Sequence, residues 1–430
     1  MKKVLIISYH FSDKTAIGSI RINGLAKYLP LFGWEPVILT AKSAISSISE
    51  FRVIEIPNDE LHVRWKKRFG LKSNESINEQ FNLRDCKRKN TISDRLINIW
   101  GEIFAYPDIY LLWRLPAVKI ADSLLGKEHF DAMISSSLPA TCCLAAKDLK
   151  NKYDIPWIAD FRDLWTQNHY YSYSRIRKFF ERRLEVDTVA SADALTTVSQ
   201  PLATKLKRLH KNIRVYSILN GFDPLQKNTG IPLAEKFTIT YTGALYKGRR
   251  DPEPLFEALE DLISEGLIDR KKISVEFYGR KEDWLEKDVV KHNLKDVVKI
   301  LGHISRIQSI EKQRQSHLLL LLTWNDPQEK GVYTGKVFDY LAAQRPILSI
   351  GCQGGVVEDL LGETNAGVHC SDVLMIKKAL INAYLEFKTK NTLSYNGIPS
   401  AIDMYSHIEM AHKFSNILND LAAKGRMCRH

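Results

Sequence analysis

The stretch YTGKVFDYLAAQRPILSIG, residues 333–351, sets a Gly-Lys pair at the start of a short apolar helix and a carboxylate, Asp339, one turn later. Thr334 and Gly335 can open the helix, Val337, Phe338, Leu341 and Ala342 give it an apolar face, and Arg345-Pro346 stops it before an apolar strand. The unpaired N–H groups and positive dipole end of such a helix suit a phosphate, with Lys336 adjacent. A carboxylate one turn along can accept hydrogen bonds from the paired hydroxyls of a ribose, the use made of the acidic residue in dinucleotide folds. Upstream, YTGALYKGRRDPEPLFEAL (residues 241–259) has Gly243, where the chain can turn close to a ligand, followed by Lys247, Arg249 and Arg250. Three cations there are placed to stabilise a departing diphosphate; an ordinary solvated loop is the alternative. The two stretches together describe a nucleoside diphosphate pocket in the second half of the chain.

In the first half, DFRDLW crowds Asp160, Arg162 and Asp163 at a strand terminus, two acids competing for one arginine. Catalytic use and a structural salt bridge are the two readings, and the strand-end position favours catalysis. After the first strand, Gly18-Ser19 leads into a helix whose N–H groups can hold a phosphate or sugar oxygen. The pattern is not GxGxxG, so a nicotinamide or flavin cofactor is disfavoured. Six cysteines show no CxxC spacing and no acidic pair of DxD type lies near the diphosphate stretch, so no metal is expected.

The elements needed to position these residues are legible as a rhythm of strand and helix. Apolar runs at residues 4–8, 36–40, 53–56, 132–135, 157–161, 194–198 and 215–219 alternate with helical stretches, then again at 238–242, 274–278, 297–301, 318–323, 346–350 and 367–370. This predicts α/β architecture with two Rossmann-like, doubly wound parallel sheets, in which ligands sit outside the carboxyl ends of the strands. The expected domains are residues 1–221 and 222–400, with a C-terminal helix in 401–430 crossing back to the first. Residues 61–130 interrupt the first rhythm as an insertion rich in basic and aromatic residues.

The 430 residues carry a net charge of +12, with 44% hydrophobic and 26% charged residues, a soluble globular composition. Residues 61–90 hold nine Lys/Arg against three Asp/Glu, half of the excess. Within them Arg64, Lys66, Lys67 and Arg68 interleave with Trp65 and Phe69, a mixture suited to an anionic membrane surface or to a plain solvated loop. No nucleic-acid module is recognisable. The apolar part of MKKVLIISYH is too short for a secretory signal, and no run reaches the roughly 20 apolar residues of a membrane span. A cytoplasmic protein, able to attach peripherally to the inner membrane face, is expected.

In order along the chain, IGSIRINGLAKYL, IPWIADFRDLW, ADALTTVS, ILNGFD, YTGALYKGRRDPEPL, VEFYG, VKILGHIS and TGKVFDYLAAQRPIL resemble the family 4 (group 1) glycosyltransferases of GT-B fold. The resemblance implies two Rossmann-like domains facing across a cleft. It also implies a nucleotide-sugar donor held by the second domain, a UDP-sugar being favoured, no essential metal, and transfer with retention of configuration. The family's cation in the first loop of that domain falls on Arg249, and its ribose-binding glutamate falls on Asp339. A second family glutamate is replaced by Gly331, with Glu329 nearby, and a family histidine by Ser135, Ser136 and Ser137. The DFRDLW and GRRDPEP forms resemble a subgroup of bacterial surface-polysaccharide assembly, which implies a glycan or lipid-linked glycan acceptor. A nucleotide-sugar epimerase of the same fold and a non-catalytic nucleotide-sugar-binding protein are the alternatives.

Overall fold

The computed structural model describes residues 1–11, 17–42, 51–57, 106–168, 171, 173–227, 230–324 and 326–427. The basic segment with Arg64, Trp65, Lys66, Lys67, Arg68 and Phe69 lies outside them. The chain divides into two compact units, Met1–Ile218 with Ala411–His430, and Leu219–Met410.

The first unit is built on β1 (Lys2–Ile7), β2 (Trp34–Ala41), β3 (Arg52–Ile56), β4 (Ala132–Ser137), β5 (Trp157–Phe161), β6 (Ala194–Thr197) and β7 (Arg214–Ser217). Their order is β3-β2-β1-β4-β5-β6-β7, with every neighbouring pair parallel. Helices cover both faces, so the central strands are continuous apolar runs such as Val4–Ile7, all fully buried. The helix Arg114–Leu125 is the crossover into β4, with Ala117, Ala121 and Leu124 buried and Trp113 packed in the same core. The described end of the 61–130 segment, from residue 106, thus packs into the core through Trp113, Ala117, Ala121 and Leu124. From Ala411 onward the last helix, His407–Met427, belongs to this unit. Its Asn419 accepts hydrogen bonds from Lys2 Nζ (2.8 Å) and Trp34 Nε1 (3.2 Å), and His412 stacks on Phe32.

The second unit holds β8 (Phe237–Thr242), β9 (Ile273–Tyr278), β10 (Val298–Gly302), β11 (Leu318–Leu322), β12 (Ile347–Ile350) and β13 (Gly367–Cys370), ordered β10-β9-β8-β11-β12-β13 and again wholly parallel. β11 is five consecutive leucines, all buried, because helices pack on both of its faces. Winding reverses between β8 and β11, and the two crossovers leave in opposite directions from there. That opens a crevice at the carboxyl ends of these two strands.

His317, just before β11, is a buried imidazole packed between Phe237 and Phe387, and its Nδ1 accepts the Thr238 N–H at 3.2 Å. Burial, with Arg345 adding repulsion, pushes its pKa down from 6.5 to about 4. A group whose folded pKa is depressed in this way is protonated first in the unfolded chain. Stability is therefore lost as pH falls through 6.5 towards 4, by about 3 kcal/mol in full. Urea unfolding across this range should show that slope, and His317→Gln should remove most of it.

Candidate functional site

At the crevice of the second unit, Gly243 follows β8 with φ +114°, and its N–H donates to Tyr278 O at 2.6 Å. A Cβ there would lie 2.5 Å from Lys336 Cε, so both the backbone angle and the close approach require glycine. Residues 246–250 then make a tight turn through Gly248 (φ +70°), with the N–H groups of Arg249 and Arg250 both donating to Tyr246 O at 2.9 Å. The turn presents Arg249 and Arg250 to the Trp324 ring, at 4.8 and 5.8 Å from its centroid. Trp324 follows β11, so the loops of the two strands flanking the reversal meet. Lys247 does not join them and lies over the Trp284 ring.

Lys336 enters from the helix Lys336–Ala343, whose N-cap is Gly335 and whose preceding Thr334 accepts the Val337 N–H at 3.1 Å. Tyr340 pins this helix to the sheet: its hydroxyl donates to Leu320 O (3.1 Å) and accepts from Thr242 N (3.4 Å). Gln344 in the left-handed region ends the helix just before Arg345-Pro346. Lys336 Nζ donates to Tyr241 Oη at 2.9 Å and lies 4.5 Å over its ring. Burial and the neighbouring charge of Arg250 hold the Lys336 pKa well below the lysine range, against the pull of Asp339.

Asp339 does not stand open. Both its oxygens accept from the Arg306 guanidinium, at 3.2 and 2.7 Å. Burial raises its carboxyl above the ordinary aspartate range, while Arg306 and Lys336 oppose the rise. Arg306 is the first residue of the helix Arg306–Gln315, which is fixed by a Ser305–Gln308 capping box. A cation at a helix N-terminus is disfavoured by the dipole, so the fork onto Asp339 offsets two like charges at once. Asp251, the acid next to Arg250, is turned onto the N–H groups of Gly248 (3.0 Å) and Glu253 (3.1 Å). Glu329 ends the short 3-10 turn Pro327–Glu329, and the Gly331 position beside it is buried.

The first unit corrects the reading of DFRDLW. Asp160 and Asp163 do not compete for Arg162. Asp160 is fully buried, and its two oxygens each accept from the Arg21 guanidinium at 2.9 Å, with Thr196 Oγ1 donating at 2.7 Å. With no exposed surface it is the structural ion pair and not a catalytic acid. Asp163 is exposed and pairs loosely with Arg162, Nε to Oδ2 at 3.4 Å. The Arg162 guanidinium occupies the space a side chain at Gly18 would need, which brings those two predicted residues together at the helix Ile17–Tyr28. Ser135 is structural: its Oγ accepts the Trp157 indole N–H at 2.9 Å. Arg21, Arg306 and Trp324 were absent from the sequence-based set. The first two carry no local signal, while Trp324 stands directly after a buried strand at the reversal, a position that marks it. Among the described residues no group of three or more His, Cys, Asp or Glu gathers as metal ligands, and no helix is long and apolar enough to cross a membrane.

Residues 90–225 match the family model described as Glycosyltransferase Family 4. No curated protein matches the sequence. Among solved structures, Anabaena HepE in complex with UDP and glucose superimposes with a TM-score of 0.61 at 14% identity, covering 98% of this chain and 100% of that one. A glycosyltransferase from Rickettsia africae gives 0.60 at 13%, covering 98% of each chain. Sucrose-phosphate synthase from Thermosynechococcus elongatus gives 0.57 at 13%, covering 100% and 98%. The chain has the GT-B fold. At these identities the likeness carries the architecture, two parallel-sheet Rossmann-like units, and the family match supports glycosyl transfer.

Removing Asp160 leaves Arg21 charged and buried. Asp160→Asn should therefore lower stability by about 3–5 kcal/mol, whereas the exposed Asp163→Asn should change it by less than about 0.5 kcal/mol. Thermal unfolding of the two variants side by side checks the assignment.

Proposed function

We propose that the protein is a glycosyltransferase that moves a sugar from a nucleoside diphosphate sugar to a glycan or lipid-linked glycan precursor. The observation that carries this is the cluster of Arg249, Arg250 and Lys336 at the carboxyl ends of β8 and β11, whose two neighbouring carboxylates are already engaged, Asp339 by Arg306 and Asp251 by backbone N–H groups. Clustered cations with so little compensating negative charge suit a diphosphate, and a ribose one helical turn along would share Asp339 through the lone pairs that Arg306 leaves free. UDP is the nucleotide to try first, because the HepE structure of similar fold was solved with it.

In the reaction the bond from the anomeric carbon to the β-phosphate oxygen breaks and its electron pair goes to the diphosphate. The acceptor oxygen bonds to that carbon, and its proton passes to the departing phosphate oxygen. Arg249, Arg250 and Lys336 stabilise the growing charge on the diphosphate, supplying from side chains what a divalent cation supplies elsewhere. We read the reaction as retaining and metal-independent, the transferred group as a hexosyl or N-acetylhexosaminyl unit, and the setting as surface-polysaccharide assembly. Arg162 and Asp163, partly open beside Gly18, are the residues of the first unit we assign to contact with the acceptor or the sugar.

Calorimetry with UDP, and a thermal-shift panel of UDP-, GDP-, ADP- and dTDP-sugars, tests the donor site. Arg249→Ala and Lys336→Gln should each weaken diphosphate binding by about 1.5–3 kcal/mol, the worth of a charge-assisted hydrogen bond. Unchanged affinity in both would remove the site. Since an ionised Asp339 is the better acceptor for ribose hydroxyls, affinity should fall as pH drops through its raised pKa, and Asp339→Asn should flatten that profile. Transfer should persist in EDTA; loss that magnesium or manganese restores would contradict the metal-free reading.

A further inference from the structure

The helix Arg175–Val189 is inverted with respect to ordinary amphipathic packing. Its inward positions Arg177, Glu181, Glu185 and Thr188 are polar and buried. Arg177, Glu181 and Glu185 are satisfied from the loop before the helix and from a neighbouring one. Glu181 accepts from Arg177 Nε (2.8 Å), Trp165 Nε1 (3.2 Å) and the Tyr171 hydroxyl, and the Arg177 guanidinium lies 3.5 Å from the Tyr173 ring centroid. Glu185 accepts from Thr166 N (3.0 Å) and approaches His210 Nε2 at 3.2 Å. With this polar face locked inward, the apolar residues turn to solvent: Ile176 is 73% exposed, Phe179 and Phe180 53% each, and Val186 39%. Packing among the described residues does not cover this contiguous run of large apolar side chains on one exposed helix face.

The charges on the same face indicate what covers it. Arg175, Lys178, Arg182 and Arg183 are exposed among these apolar residues, and no carboxylate of the described residues pairs with any of them. The one acid on this face, Asp187, is held by Lys147 at 2.6 Å. Arg183 lies 4.4 Å over the Phe179 ring and Lys178 lies 5.7 Å from that of Tyr171, so their stems run along aromatic surface while their heads reach water. A protein partner would have to bury four unpaired cations together with the rings. An anionic bilayer accepts both, the rings at the level of the acyl boundary and the cations among phosphate headgroups.

We propose that this face is a membrane-docking surface, seating the helix Arg175–Val189 flat on a bilayer containing anionic phospholipid. The polar buried face is what makes this stable, because the helix cannot rotate to hide Phe179 and Phe180 without exposing the Arg177–Glu181 pair. The docking is peripheral, and it is independent of whichever reaction the protein catalyses.

The test is co-sedimentation of the full chain with vesicles of phosphatidylcholine alone and with added phosphatidylglycerol, at low and high salt. The parent should bind only the anionic vesicles and should be released by salt. A variant with Ile176→Ser, Phe179→Ser and Phe180→Ser should partition at least about tenfold less. One with Arg175→Gln, Lys178→Gln and Arg182→Gln should lose about fivefold per charge. These positions are exposed, so unchanged circular dichroism and melting temperature should accompany the losses. No binding by the parent, or equal binding by parent and both variants, overturns the proposal. So does a dimer in sedimentation velocity that the serine variant dissolves, because a second copy would then be the occupant.

Discussion

Lys336 and Arg250 are held close enough to repel, and much of the second unit is arranged to tolerate that repulsion. Two nearby cations partly withdrawn from water persist only where the fold over-determines the geometry. Gly243 leaves room for the lysine stem, Tyr241 gives its ammonium an oxygen and a ring face, and Trp324 gives Arg249 and Arg250 a flat surface. Tyr340 fixes the helix that carries Lys336 to the two strands at the reversal. Apart from Tyr340, which is on the helix itself, each support comes from β8 or from the segment that directly follows β8 or β11.

The carboxylates are arranged on the same logic. Asp251 is committed to backbone N–H groups and Asp339 to Arg306, so neither neutralises the cluster outright. On the proposed reading, an incoming diphosphate would gain from several donors there. In the first unit the opposite holds: Arg21 and Asp160 close on each other, with Thr196, and are fully satisfied. One arginine–aspartate pair is a finished piece of core, and the other is a half-buried fork.

How much of this the sequence could show depended on distance along the chain. Strands buried on both faces are continuous apolar runs, so the thirteen runs all lie within one or two residues of observed strands, and Trp157–Phe161 and Gly367–Cys370 coincide. Gly243, Arg249, Arg250 and Lys336 were legible because strand-end loops in such sheets carry ligands. The partners of the aspartates were not, since Arg21 meets Asp160 across 139 positions and Arg306 meets Asp339 across 33. Arg162, one residue from Asp163, drew the pairing that belonged to Arg21. The helix Arg175–Val189 defeats pattern reading for another reason. Its apolar spacing would turn Ile176 and Phe179 inward, and only the satisfied ion pairs on the other face reverse it.

The central claim is that the diphosphate is seated by cations gathered at the reversal of the second sheet. A crystal structure of the protein with UDP tests it most directly. The account predicts diphosphate density within hydrogen-bond distance of Lys336 Nζ and the guanidinium of Arg249 or Arg250, with ribose hydroxyls at the carboxylate of Asp339 and the Arg306 fork kept. Density for the diphosphate at any other place, with Lys336 still bonded only to Tyr241, would contradict it.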